Sequence, residues 1–218
     1  MSREKESLTP AQGADIASVA DGRASVEATR PRRRTAPRAA AQRRVVIEAV
    51  SPEVDEGRFP AKATLGEDVI VEADIFTDGT DVISAALLYR AAEDTAWKPV
   101  STKPLVNDRW RARFPVDHLG AYVFTIEGWI DPFLTWRRDL EKRLDAGQKG
   151  PVEFQIGAKL IEAGASRAEG KDREALLKAA ERLARGGSHA QLARLALDEH
   201  LAELMTAHAD RANATRYQ

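Results

Sequence analysis

The strongest constraint on this chain is a change of hydrophobic period at Asp131-Pro132. From Val45 to Ile130, apolar residues return at every second position in short runs with turn residues between them. Beyond Pro132 they return at every third or fourth position. A single layer of regular structure cannot satisfy both patterns, so strands come first and helices follow.

The runs can be placed individually. Arg44–Val50 is a strand candidate stopped by Ser51-Pro52. Asp68–Phe76 sets Val69, Val71, Ala73 and Ile75 on one face, and Asp78-Gly79 then supplies turn chemistry. Ser84–Arg90 is more apolar and is expected to be central. In Arg109–Phe114, three arginines alternate with Trp110, Ala112 and Phe114, which should face inward. Tyr122–Ile130 puts Tyr122, Phe124, Ile126 and Ile130 on one face. Short strands with no helix between them predict an antiparallel sandwich with immunoglobulin-like topology and no disulfide.

The helical half reads as Thr135–Ala146, ending at Gly147, and a second helix opened by Pro151. A third is capped by Asp172, carries Leu176, Leu177, Ala180 and Leu183, and stops at Gly186-Gly187. Ser188 with Gln191 reads as a capping box opening a last helix from Leu192 to Met205. Short connections predict a small antiparallel bundle, with everything after Asp131 helical. The expected division is a tail over 1–43, a β-sandwich over 44–134 and a helical segment over 135–218.

The tail has no sustained period. Seven arginines and no acid lie within Arg30–Arg44, and such a segment cannot offset its ordering entropy by burial. It is expected to be disordered and to pack against nothing. A basic arm of this kind could hold a nucleic acid or an acidic partner, but it lacks interleaved aromatics, so a solubilising tail is the preferred reading. The net charge of −1 gives no overall field toward nucleic acid or membrane. No apolar run approaches the roughly 20 residues of a membrane helix, and Met1–Ala20 lacks the apolar core of a signal peptide. The chain contains no cysteine, which removes thiol catalysis and Cys-zinc sites and fits the reducing cytoplasm.

Candidate chemistry is sparse. His118, His189, His200 and His208 offer no i, i+4 metal pair, since His200 and His208 are eight apart. Asp131 is the best-placed single acid, while Asp139 and Glu141 read as ion-pair partners of Arg137, Arg138 and Lys142. Nucleophile, phosphate-loop and dinucleotide signatures are missing. Of the tryptophans, Trp110 is expected in the core, and Trp129 and Trp136, with Phe133, beneath the helices or at an interface. No catalytic, cofactor-binding or metal-binding residue is assigned, and no cofactor is expected.

Several ordered runs carry a family resemblance. They are Val45–Asp55 (VVIEAVSPEVD), Gly57-Arg58-Phe59-Pro60, Ala73–Gly79 (ADIFTDG), Asn107-Asp108-Arg109-Trp110, Gly120–Trp129 (GAYVFTIEGW) and Asp131–Lys142 (DPFLTWRRDLEK). Together they resemble the N-terminal part of the bacterial α-1,4-glucan:maltose-1-phosphate maltosyltransferases, which extend α-glucan chains with maltosyl units. Ala63 and Thr80 stand where the family pattern has a basic residue and a histidine. The resemblance implies a sandwich with inserted helices that aids homodimer assembly and shapes a neighbouring active site. It also implies that the nucleophilic Asp and acid/base Glu lie on a (β/α)-barrel further along, so they map onto no position here. On that basis the chain should be inactive alone, with a second copy or a barrel chain as its partner and at most a weak α-glucan contact. The sandwich should also lack a closing strand, because Gln218 falls where the return to the sheet would start. Two other readings stand beside it: a free-standing carbohydrate-binding module using Trp129 or Trp136 as a stacking platform, and an adaptor working through the Arg30–Arg44 arm.

Overall fold

The computed structural model describes residues 45–218 apart from Glu56 and Lys149. The expected tail over 1–43 lies outside the described residues. Among the described residues, seven strands come first: β1 Val45–Ser51, β2 Asp68–Thr77, β3 Ile83–Ala91, β4 Lys98–Ser101, β5 Lys103–Pro104, β6 Arg109–Pro115 and β7 Tyr122–Ile130. Five helices follow: α1 Pro132–Asp145, α2 Pro151–Ala165, α3 Gly170–Arg185, α4 His189–Ala196 and α5 Glu199–Ala207. A final short strand, β8 Thr215–Arg216, ends the described elements.

The strands form two antiparallel sheets of order β1-β2-β6-β5 and β4-β3-β7-β8. Their alternation sends one face of each sheet into a shared core. Val71, Ala73, Ile75, Ala112 and Phe114 come from the first sheet, and Leu87 and Ile126 from the second. Trp110 is half-buried at the margin of this core and donates its indole N–H to the Ile75 carbonyl at 3.1 Å. At Gly128 the two sheets approach closely. A Cβ there would lie 2.9 Å from Val45 Cγ1 and 3.2 Å from Ile75 Cγ2, which is why the apolar stripe of β7 is interrupted at this residue.

Two of the first seven strands are not visible in the sequence pattern. β4 and β5 contain Pro99 and Pro104, which break the alternation signal. Both are edge strands, where a missing amide donor costs no ladder bond. The outer face of the first sheet is charged instead of apolar. Glu72 lies opposite Arg111, and Asp74 opposite Arg109.

The helices bury a second cluster. Phe133, Trp136 and Leu140 of α1 meet Phe154 and Ile161 of α2, Leu176 and Leu183 of α3, Leu192 of α4, and Leu201 and Met205 of α5. Close approach needs glycine at two points of α2. A Cβ on Gly157 would stand 2.1 Å from the Trp136 ring, and one on Gly164 would stand 2.5 Å from Met205 Sδ.

Four expectations about the helical half are corrected. The first helix starts at Pro132, not Thr135, because Asp131 caps it. Asp172 does not cap the third helix. It lies inside the first turn, and its carboxylate pairs with His208 Nε2 at 2.9 Å. Ser188 sits at an N-cap but makes no side-chain cap bond, while the Gln191 side chain accepts from Arg182, so no capping box forms. The last apolar run is two helices, since the chain breaks at Leu197 and Asp198 caps α5 afresh through the Leu201 amide at 3.0 Å.

The expectation of an all-helical C-terminus is also corrected. The chain returns to the second sheet within its own length, pairing Thr215 with Gly128 and Arg216 with Glu127. The Tyr217 amide then donates to the Ile126 carbonyl at 3.0 Å. A two-residue pairing after a long helical stretch gives no alternation to read, so pattern alone could not place it.

Candidate functional site

The best-placed acid of the sequence, Asp131, lies where the sheet meets the helices. Asp131 is buried at the end of β7, and both of its carboxylate oxygens are engaged. Oδ1 accepts the Leu134 amide at 2.9 Å, closing the first turn of α1, and Oδ2 accepts the Ser84 hydroxyl of β3 at 3.0 Å. The Thr135 hydroxyl donates to the Asp131 carbonyl and accepts the Val82 amide, each at 2.8 Å. The Asp131 amide in turn donates to the Val82 carbonyl at 2.8 Å. The Asp131, Ser84, Thr135 and Val82 groups named here therefore satisfy one another, as burial demands. Pro132 supplies the preset φ of a first helical position.

One turn further on, the Trp136 indole N–H donates to the Glu153 carbonyl at 2.9 Å while its ring covers Gly157. Arg137 reaches away from its own helix to the break between α4 and α5. There it donates to the Leu197 carbonyl at 2.8 Å and to Glu199 at 2.6 Å. This differs from the expected pairing with Asp139 or Glu141. Asp139 instead pairs with Arg138 at 2.8 Å, one of its expected partners.

The histidines are dispersed. His118 lies beside Asp117 and Tyr122, His200 beside Glu203, His208 beside Asp172, and His189 stacks edge-on to Phe154. Among the described residues, no group of three or more His, Cys, Asp or Glu could hold a metal ion. The Asp117–His118–Tyr122 trio contains acid, base and phenol at 2.6–2.8 Å, but its geometry is that of a corner. The phenol oxygen accepts the Asp117 and His118 amides at 3.2 Å and donates to the Asp117 carboxylate. The hydrogen bond from Tyr122, followed by that of His118, holds the Asp117 carboxyl below its ordinary range. Burial first, and Asp117 second, push the Tyr122 phenol up.

Trp129 and Trp136 are 3% and 7% exposed. Neither can serve as the sugar-stacking platform considered from the sequence, since a stacking face must be open to the ring it receives. The small cavity of about 140 Å³ beside Trp129, Phe133 and Met205 lies within the same join. A wider groove of about 690 Å³ runs at the far end of the sheets, between Phe59 and Pro60 on one side and Val123 and Tyr217 on the other. Among the described residues that line it, no pair of acids faces across it. Its Glu53 accepts the Tyr217 hydroxyl at 2.9 Å. No described helix is long and apolar enough to cross a membrane.

The geometry assigns most candidate groups to holding elements together. Sequence reasoning found Asp131, Trp129 and Trp136 but missed Ser84, Thr135 and Gly157, whose roles depend on partners distant in the chain.

Comparison with known proteins gives a consistent picture. Residues 43–218 match the family described as "Alpha-1,4-glucan:maltose-1-phosphate maltosyltransferase, domain N/S". The chain is 46% identical over 176 residues to the alpha-1,4-glucan:maltose-1-phosphate maltosyltransferase of Chlorobaculum tepidum, covering 81% of this chain and 26% of that protein. It is 40% identical over 181 residues to the Myxococcus xanthus enzyme of the same name, covering 79% and 27%. The Rhodospirillum rubrum enzyme is 36% identical over 189 residues, again covering 79% and 27%. The chain thus spans about a quarter of the length of these relatives. With the family matched over most of its length, the chain belongs to the alpha-1,4-glucan:maltose-1-phosphate maltosyltransferase family, as its domain N/S.

Proposed function

We propose that this region is the non-catalytic assembly part of a maltosyltransferase that elongates α-1,4-glucan from maltose 1-phosphate. The observation that carries the reading is the use of its best-placed acid. Asp131 has both oxygens committed to Leu134 and Ser84, so it holds α1 against β3 instead of facing a substrate. A general acid or base must instead reach a reacting atom.

The fold reading that accompanies this role is immunoglobulin-like, with the helices forming a small bundle. The sheet orders β1-β2-β6-β5 and β4-β3-β7-β8 support it. So does Tyr122 at the start of β7, whose hydroxyl bonds the backbone a few residues upstream in the manner of a tyrosine corner. The partner is a second copy of the chain or a catalytic barrel, and the compartment is the cytoplasm.

The decisive assay is transfer of maltosyl units from maltose 1-phosphate to a maltooligosaccharide by the purified chain. No turnover above a blank is expected, and turnover by this chain alone would overturn the proposal. Sedimentation should show a dimer in the micromolar range. A monomer at every concentration would remove the self-assembly half of the reading.

A further inference from the structure

The outer face of the second sheet carries aromatic and cationic side chains from segments far apart in sequence. Arg90, at the end of β3, places its guanidinium 4.9 Å from the Trp97 ring centre. Arg216 of β8 approaches the same ring at 5.8 Å. Its Nε donates to Glu127 of β7 at 2.9 Å, and its Nη2 pairs with the same oxygen. The other Glu127 oxygen faces Arg211 Nη1 at 3.9 Å, and Arg211 lies over the Trp129 ring at 4.4 Å. The order across the face is therefore Arg90, Trp97, Arg216, Glu127, Arg211, Trp129.

Two details argue that stacking matters here. Among the described residues, Arg90 Nε and Trp129 Nε1 are buried with no hydrogen-bond partner, and both belong to this row. Groups of that kind are uncommon in folded proteins, and here they lie in cation–π contact. The ladder that holds this backbone is also short. β8 pairs through Thr215 and Arg216, and the Tyr217 amide adds one bond to Ile126, beside side-chain bonds from Thr125 to the Tyr217 carbonyl, from Thr215 to the Val45 carbonyl and from the Tyr217 hydroxyl to Glu53. The Arg90 guanidinium additionally donates to the Ala92 carbonyl at 3.0 Å and to the Asp94 carbonyl, so it orders the turn that presents Trp97.

We propose that these six side chains form one latch, which holds the C-terminal strap 209–217 in register on β7 and couples it to the β3–β4 turn, so that strap and turn open together. A strand of two residues is a low-stability element by itself, and the row supplies contacts its backbone cannot.

Hydrogen exchange on the whole chain tests this. In Trp97→Leu, peptides covering 209–217 should exchange about tenfold faster, while β2 peptides in the same sample keep their wild-type rate. In Arg216→Ala, peptides covering 91–98 should accelerate likewise. Arg216→Lys keeps the charge opposite Glu127 but lacks the planar stacking surface, so the strap should open about threefold faster than wild type. The proposal fails if Trp97→Leu leaves the strap within twofold of wild type. It also fails if Arg216→Ala leaves the turn unchanged, or if every peptide accelerates equally, because the row would then not act as a local latch.

Discussion

Removing the Asp131 carboxylate tests how the sheet and helices are joined. In Asp131→Ala, α1 loses its N-cap acceptor for the Leu134 amide, at a cost of about 1 kcal/mol. The Ser84 hydroxyl, in a residue only 8% exposed, loses its acceptor as well. Leaving a buried hydroxyl unpaired costs about 1–3 kcal/mol. The sum is about 2–4 kcal/mol, equivalent to a fall in melting temperature of about 4–16 °C for a chain of this size. Asp131→Asn should cost under about 1 kcal/mol, since asparagine caps as well as aspartate and its amide can still meet Ser84. Ser84→Ala in the Asp131→Ala background should cost much less than in the wild type, giving a coupling of about 1–2 kcal/mol. Urea unfolding of the four chains measures all of these. If Asp131→Ala unfolds within about 0.5 kcal/mol of wild type, or the cycle shows no coupling, the join is not held as described.

Gly157→Ala would place a methyl 2.1 Å from the Trp136 ring, so it should destabilise by about 1–3 kcal/mol and shift the tryptophan emission; an unchanged melting curve would mean α2 yields freely. Trp136→Ala should cost about 3–5 kcal/mol, as it empties a buried site and removes the indole donor from the Glu153 carbonyl, and calorimetry measures it. Glu72 is held below the ordinary glutamate range, first by the hydrogen bond from Arg111 and then by that from Arg109. Its contribution to stability is therefore full above the unfolded value of about 4.3 and lost as pH falls through the lower folded value. Glu72→Gln should flatten the fall in melting temperature between about pH 5 and pH 2.5, and an unaltered slope would contradict the pairing.

Period-two alternation located the five longer strands because each has one face in the shared core and one outside it. Val69, Val71, Ala73 and Ile75 occupy the side expected of them, and so do Ala112 and Phe114. The signal failed where that condition fails. The proline-containing edges β4 and β5 and the two-residue β8 bury too little on one face to leave a pattern. Helix existence was legible from leucine spacing, but the caps were not. Asp172 looks like a cap in one dimension and is an ion-pair partner of His208 in three. Trp129 and Trp136 are buried, in keeping with their expected place beneath the helices or at an interface, and neither offers the open stacking face of the alternative reading.

β7 and β8 are neighbours in one sheet and run antiparallel, with Gly128 opposite Thr215. Everything from Asp131 to Ala214 therefore departs from one strand and returns to the strand beside it, as the loop of a hairpin does. The helices also bury a cluster separate from that of the sheets. Such a loop can be exchanged or shortened with little entropic cost, because closure entropy rises only slowly with length. By this geometry the helical segment is expected to behave as a cassette, which can be shortened while the sheets keep their pairing. A chain in which 132–213 are replaced by a short turn should retain the antiparallel β spectrum of the parent and lose its helical signal. Loss of both signals together would mean the sheets rely on the cassette to fold.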